Sequence, residues 1–445
     1  MPHRSTRRQF IKTSAALGIG YYVCSSARAD KPTAPSDQIR LAAIGVDGKG
    51  KDDMMHSSKY GKYVAMCDID TEKLDKKKSD CPEFEDCKVY TDFRKLFDEM
   101  GDKIDAVTVS TPDHTHAAIA LMAMRMGKHV YCQKPLTHSI YEARLMGKVA
   151  KEKGVATQMG NQGTQIDALR KAAAMLRAGV LGKITEVHVW TDRPIWDQGL
   201  DRPASASCPK NIEWDYWIGP AKIRPYANGY QPFKWRGFWD FGTGALGDMA
   251  CHTMNLPYQG LDLRDPISVL AETSGHNKEM YPKSSRIEFQ FAANKQRGPV
   301  KMTWYDGGNL PDIELFEGRK PFRSGCLVIG EKGKLYSPHD YGAKYELIGV
   351  DPIEVKYRKS IKEVGRRHEL GHHKEWFNAI RGGEAAMSNF TDYAGPLTEM
   401  CLLGNLAVWV SGEKVEWDSK KLKASVAGLE PIIKPTYRKG YTLDV

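Results

Sequence analysis

Asp248 and His252, in the run Gly247-Asp248-Met249-Ala250-Cys251-His252, place an acid and an imidazole four residues apart, the spacing that sets both on one face of a helix. Lys134, in Val130-Tyr131-Cys132-Gln133-Lys134-Pro135-Leu136, supplies a third polar group. Oxidising an alcohol requires a proton to leave oxygen as hydride leaves carbon, so one group must accept the proton and another must orient the hydroxyl. His252 suits a general base or acid, Asp248 suits orienting the substrate or the histidine, and Lys134 suits polarising the reacting oxygen. Residue types leave open whether Lys134 or His252 moves the proton. The plain alternative is an ordinary i,i+4 ion pair and a surface lysine.

Hydride chemistry calls for a nucleotide. The first strand-like run, Ile39 to Val46, enters Gly45-Val46-Asp47-Gly48-Lys49-Gly50 and then a helix. Such a turn lets backbone approach a pyrophosphate at a helix N-terminus. Asp47 stands where the second glycine of G-x-G-x-x-G is expected, which is unfavourable unless its side chain turns away. About 20 residues further on, Asp68 in Cys67-Asp68-Ile69-Asp70 is placed to bond the ribose hydroxyls. A carboxylate there repels a 2'-phosphate, so the expected cofactor is NAD rather than NADP.

With Ser110-Thr111-Pro112-Asp113-His114-Thr115-His116 added ahead of the lysine and Asp-His runs, the three motifs stand in the order that resembles the Gfo/Idh/MocA oxidoreductases, named for glucose-fructose oxidoreductase and inositol dehydrogenase. The resemblance covers nearly all of the chain after its first segment. It implies that Lys134 is the lysine of the family's E-K-P motif, with Gln133 in place of the usual glutamate, and that Asp248 and His252 are its D-x-x-x-H pair. It also implies that Thr111 and Pro112 form the turn at the cofactor edge with His116 close by, and that Gly45, Gly48, Gly50, Asp68 and Lys134 complete the nucleotide site. The activity so implied is a sugar oxidoreductase with tightly held NAD, working as a homo-oligomer. Two other readings stand beside it: an NAD-dependent glycosidase acting by transient oxidation and elimination, and a sugar-binding protein without catalysis.

A carbohydrate partner is also suggested by composition around an aromatic stretch. Trp190, Arg193, Trp196, Trp235, Arg236 and Trp239 cluster there, and aromatic faces stack on sugar C–H surfaces while arginine binds hydroxyls. Asn161 and Gln162 follow the sixth strand, at the carboxyl end of the sheet where ligands bind. No metal is expected, because His114 and His116 form an H-x-H without a third ligand. His372 and His373 are expected to open a helix, from which one could reach the substrate pocket.

These groups need a scaffold. Strand-like runs at Ile39 to Val46, Tyr63 to Ile69, Ala106 to Ser110, His129 to Cys132 and Val155 to Met159 alternate with helical patterns at Asp52 to Lys59, Phe93 to Glu99, Thr115 to Met126 and Ile140 to Lys153, as a doubly wound parallel sheet requires. A further helix runs from Ile166 to Ala178. After Gly182, six strand-like runs between Ile184 and Ile348 are mostly not separated by helices, which predicts a large, mostly antiparallel sheet. Late helices near His368 to Arg381 and Tyr393 to Val410 close the chain. The expected organisation is a signal over 1–29, a Rossmann nucleotide-binding domain over 38–162, and an α/β substrate and oligomerisation domain over 163–445 whose last helices pack back towards the first.

The first 29 residues read as an address. Arg7-Arg8 stand before an apolar stretch from Ala15 to Val23 and an Ala27-Arg28-Ala29 site, a twin-arginine signal that predicts export by that translocase to the periplasm. The apolar run is too short to span a bilayer. Setting aside Arg4, Arg7, Arg8, Lys12 and Arg28 lowers the net charge from +10 to +5, and the remaining cations are interleaved with acids, which argues against nucleic acid. A mean hydropathy of −0.50 fits no membrane-embedded class. Cys81 and Cys87 flank an acidic loop and could pair in an oxidising compartment.

Overall fold

The computed structural model describes residues 38–362 and 368–443, so the twin-arginine segment lies outside the described residues. The first sheet holds β1 (Arg40–Ile44), β2 (Lys62–Cys67), β3 (Lys88–Tyr90), β4 (Ala106–Val109), β5 (His129–Cys132) and β6 (Thr157–Met159), all parallel, in the order β3-β2-β1-β4-β5-β6. After the exposed Arg40, Leu41 to Ile44 of β1 are all buried, because helices cover both faces: α1 (Lys49–Ser57), α2 (Thr71–Asp80), α3 (Phe93–Met100), α4 (Asp113–Arg125) and α5 (Ile140–Lys153). α5 keeps its expected bounds because both ends are specified. Ser139 and Glu142 form a reciprocal capping box, and Gly154 ends it with φ +62°.

Strand order reverses between β1 and β4, and their carboxyl ends diverge into a crevice. Ile44 pairs with Val109, so the turns that follow, at Gly45 and Ser110, face one another across it.

α6 (Asp167–Arg177) leads into the second sheet. Its nine strands are β7 (Ile184–Trp190), β8 (Ser268–Thr273), β9 (Ser285–Phe291), β10 (Val300–Tyr305), β11 (Gly325–Gly330), β12 (Lys334–Ser337), β13 (Glu346–Ile348), β14 (Val415–Asp418) and β15 (Lys423–Ala424). They run in the order β13-β12-β11-β7-β10-β9-β8-β14-β15. Every pair is antiparallel except β7 with β10. The fold is therefore α/β, a Rossmann sheet followed by a mixed, mostly antiparallel one. The chain between β7 and β8 holds α7 (Trp214–Ile218), α8 (Gly244–Thr253) and α9 (Asn255–Leu261); α10 (His368–Ile380) and α11 (Gly395–Trp409) come late. α11 returns to the first sheet's helices, where Arg144 on α5 makes two hydrogen bonds to Glu399.

Cys81 and Cys87 are free thiols, so no disulfide closes the acidic loop. Among the described residues, no helix is long and apolar enough to cross a membrane.

Candidate active site

A cavity of about 400 Å³ fills the crevice, lined on the first domain's side by Gly45, Gly48, Lys49, Asp68, Thr111, Pro112 and Lys134. The glycine turn is shaped by close approach. Gly45 has φ +86°, and a Cβ there would sit 2.5 Å from the Ser110 carbonyl oxygen; a Cβ on Gly50 would sit 2.2 Å from the Gly45 carbonyl oxygen. Gly48 precedes α1 with φ +53°, and a Cβ there would meet nothing within 4 Å, so its backbone is open to the cavity. Asp47 pairs with Lys73, 3.3 Å away, at the wall of the same cavity. Burial opposes ionisation of Asp47, but the Gly48 amide and Lys73 outweigh it and hold its carboxyl below the usual range.

Asp68 and Asp70 divide two tasks. Asp70 caps α2 through the amides of Glu72 and Lys73. Asp68 accepts the Val46 amide at 3.0 Å and the Asp70 amide at 3.1 Å, one on each oxygen, which leaves lone pairs facing the cavity. Burial raises its pKa. A backbone-lined helix N-terminus and a carboxylate after β2 fit a dinucleotide with free ribose hydroxyls. Asp68→Ala is expected to weaken NAD about 10- to 100-fold, the loss of a charged hydrogen bond, and to weaken NADP less, because the repulsion of its phosphate disappears with the carboxylate. Equal losses in nucleotide titrations would contradict the assignment.

Beyond the nucleotide end, Lys134 Nζ donates to Asp248 Oδ1 at 2.7 Å and to the Asp248 carbonyl at 2.8 Å. Arg236 Nε reaches the same Oδ1 at 3.3 Å. Burial alone would raise the Asp248 pKa, yet Lys134 and Arg236 bring it down to about 2. Asp248 is thus a fixed anion. It does not bond His252, although α8 carries both. His252 is 3% exposed, has its ring 4.5 Å from that of Tyr341, and keeps Nδ1 without a hydrogen bond. Burial, then the Lys134 charge, push its pKa well below the usual imidazole value, so it is neutral near pH 7. Asp113 also lines the cavity; burial lifts it to about 6 against a 2.6 Å bond from Thr243.

The remaining expectations divide. Trp235 and Arg236 do line the cavity, with the Arg236 guanidinium 4.3 Å from the Trp235 ring centroid and 4.9 Å from that of Phe233. Trp190 does not. β7 alternates, so Val187 and Val189 face the main core while Trp190 packs on the opposite face against Phe316 and Tyr336, fully buried; it has no surface for a sugar. Arg193 is paired with its neighbour Asp192 and lies outside the cavity lining. Asn161 is fully buried, taking a hydrogen bond from Ser388 and donating to the Cys251 carbonyl. Gln162 donates to Glu369 at 3.2 Å. His116 is not at the cavity wall either: buried, it lies 2.9 Å from the carbonyls of Thr111 and Pro135, tying together the loops that present Pro112 and Lys134. Burial drops its pKa to about 4. His114 is occupied by the carbonyls of Trp217 and Phe241, and among the described residues no three His, Cys, Asp or Glu side chains are grouped to hold a metal. His372 and His373 lie inside α10 rather than at its start, both buried. Asp53, Asp113 and Tyr341 had no local signal, since each earns its place through partners distant in sequence.

Residues 39–161 match the model of an oxidoreductase family described as an NAD-binding Rossmann fold, and residues 162–297 match its C-terminal alpha/beta domain, together more than half of the chain. Levoglucosan dehydrogenase of Pseudarthrobacter phenanthrenivorans is 26% identical over 166 residues, 37% of this chain and 35% of that enzyme. The 2,7-anhydro-N-acetylneuraminate hydratase of Escherichia coli is 31% identical over 99 residues, 22% of this chain and 26% of that enzyme. The match thus spans about a third or less of each of these curated relatives. The WlbA dehydrogenase of Bordetella pertussis, solved with NADH and UDP-GlcNAcA, shares the fold with a TM-score of 0.60 at 16% identity, covering 86% of this chain and 99% of that one.

Proposed function

The chain belongs to the Gfo/Idh/MocA oxidoreductase family, and from that premise we propose that it is an exported, NAD-dependent oxidoreductase acting on a CH–OH carbon of a sugar or sugar derivative. The carrying observation is the Lys134–Asp248 pair beside a neutral, unpaired His252. Lys134 has three N–H groups, and Asp248 takes two; the third is assigned to the reacting oxygen. His252 accepts the proton that leaves that oxygen. Bound NAD supplies the acceptor and donor of hydride. Asp248, ionised throughout, holds Lys134 in place, while Phe233, Trp235 and Arg236 offer a stacking and hydrogen-bonding wall suited to a carbohydrate. The names of the relatives, a levoglucosan dehydrogenase and a 2,7-anhydro-N-acetylneuraminate hydratase, agree with that substrate class.

Export rests on the Arg7-Arg8 segment and its apolar run. That route carries folded proteins into a compartment with no replenished NAD, so the cofactor is proposed to travel bound. Protein from the periplasmic fraction should then keep about one nicotinamide per chain through dialysis, and the bound cofactor should be reduced when the right sugar is added. Arg7→Lys with Arg8→Lys should leave the protein in the cytoplasm. A chain that emerges empty and needs millimolar added NAD would overturn the tight-binding reading, and undiminished secretion of the double variant would overturn the export route.

A hydratase among the relatives favours one further reading, transient oxidation followed by elimination. Oxidation acidifies the neighbouring C–H; loss of that proton expels the leaving group, water adds, and hydride returns. The same sample decides. Deuterium entering that carbon in heavy water, with an aglycone released and no second sugar present, marks elimination; a halt after one turnover until an acceptor sugar is added marks sugar-to-sugar transfer.

A further inference from the structure

Asp53 lies on α1, fully buried beneath the cleft floor, and gathers partners from three other elements. Its Oδ2 accepts the Ser110 hydroxyl at 2.7 Å, from the turn after β4, and the Gln133 side-chain amide at 2.7 Å, from the end of β5. Its Oδ1 lies 3.4 Å from His373 Nε2 on α10 and 3.9 Å from Lys49 Nζ. His373 is itself fixed, with Nδ1 2.9 Å from Ser57 Oγ and its ring stacked on Tyr131 at 4.2 Å. An isolated carboxylate at that depth would be strongly destabilising. Burial works against ionisation here too, but His373 and Lys49 outweigh it, so Asp53 is an anion.

We propose that Asp53 is a positioning residue for Lys134 and for the cofactor-edge turn, and that it carries at position 53 the buried negative charge that position 133 lacks. Gln133 stands between the two. Its Nε2 donates to Asp53, and its Oε1 takes the Lys134 backbone amide at 3.4 Å. A neutral amide does both without holding a titratable proton, whereas an ionised carboxylate can only accept. A carboxylate at 133 would bring two carboxylates to hydrogen-bond distance, where one must stay protonated. Gly160 completes the fit: a Cβ there would lie 2.5 Å from the Gln133 side chain, which therefore has one place to go. Because Ser110 precedes Thr111-Pro112 and Gln133 precedes Lys134, one carboxylate sets the backbone of both loops that face the reacting carbon.

The test exchanges the two groups, comparing the parent with Gln133→Glu, Asp53→Asn and the double variant. The proposal rests on Lys134 acting in the reaction, so the exchange is read in two ways: as kcat and KM, and as melting temperature of the protein as purified across pH 5.5 to 9. The groups facing the pair are Lys49, His56, Tyr63, Tyr131, His373 and Lys134, and they are common to all four proteins. Gln133→Glu should lower kcat about 10²-fold at pH 8, as a displaced catalytic group does, with KM nearly unchanged. Its second carboxyl binds a proton in the folded state at a raised pKa, so stability is present at low pH and is lost as pH rises through that value. Adding Asp53→Asn should restore kcat to within a few-fold and remove the pH dependence of melting. Parent-like kcat and melting in Gln133→Glu, or a double variant no better than it, would overturn the proposal. If Asp53→Asn does not fold alone, the pH dependence of Gln133→Glu still decides. Coupled melting with no oxidoreductase activity in the parent would leave the charge pair standing and sink the functional reading instead.

Discussion

Lys134→Ala is expected to slow reduction of the bound nicotinamide by sugar about 10³-fold, the upper range for removing one preorganised donor from a reacting oxygen, while the cofactor stays bound within about tenfold of its parent affinity. The loss should fall on kcat, because the third N–H of Lys134 is assigned to an oxygen whose negative charge develops only as its proton leaves in the reacting complex. The electrostatics give a second signature that mere damage would not. Lys134 is the largest influence holding Asp248 at about 2 and, after burial, the largest one depressing His252. Without the lysine both must rise. The residual activity should therefore lose its acid limb at a higher pH than the parent does. Lys134→Met keeps the apolar stem and should behave alike, which separates charge from packing. Rapid reduction in either variant, measured by the near-ultraviolet absorbance of the bound nicotinamide, would remove Lys134 from the mechanism.

Why this lysine was legible while Asp53 was not is a matter of range. The glycine turn, Asp68, Lys134, Asp248 and His252 each sit in short motifs whose spacing already encodes local geometry: a turn between strand and helix, a strand end, one face of a helix. Asp53 acquires its role from Ser110, Gln133 and His373, and no periodicity records contacts across such separations. The scaffold shows the same limit. α2, Thr71–Asp80, holds Leu74 as its one aliphatic residue, so it lacks an apolar stripe and shows itself only through the Asp70 cap. β3 has three residues of which two are exposed, and β12, β14 and β15 have only four, four and two; their pairing is set by neighbouring strands. Trp190 packs away from the site, and residue type gives no face. In an alternating strand, the position next to a core valine points the other way, and here that side has its own aromatic cluster.

His252→Gln is expected to lower kcat about 10²- to 10³-fold, the usual worth of a positioned general base, and to abolish the acid limb of the pH profile. The base must be a group free to take a proton. Asp248 is held at about 2 by two cations and cannot compete. His252 is buried on the same helix, has no hydrogen bond at Nδ1, and has its pKa pushed well below the usual value by burial and by Lys134. It is therefore neutral, and able to accept, through neutral pH and below the ordinary imidazole range. As pH falls through its pKa it becomes cationic and the oxidation rate must fall with it. Parent activity should accordingly stay flat through neutrality and drop only in acid. A lysine base would behave in the opposite sense, because an ammonium must first lose its proton before it can accept one, so the rate would climb as pH rises. A profile of that shape, retained in His252→Gln, would assign the proton to Lys134 and leave His252 as packing for Tyr341.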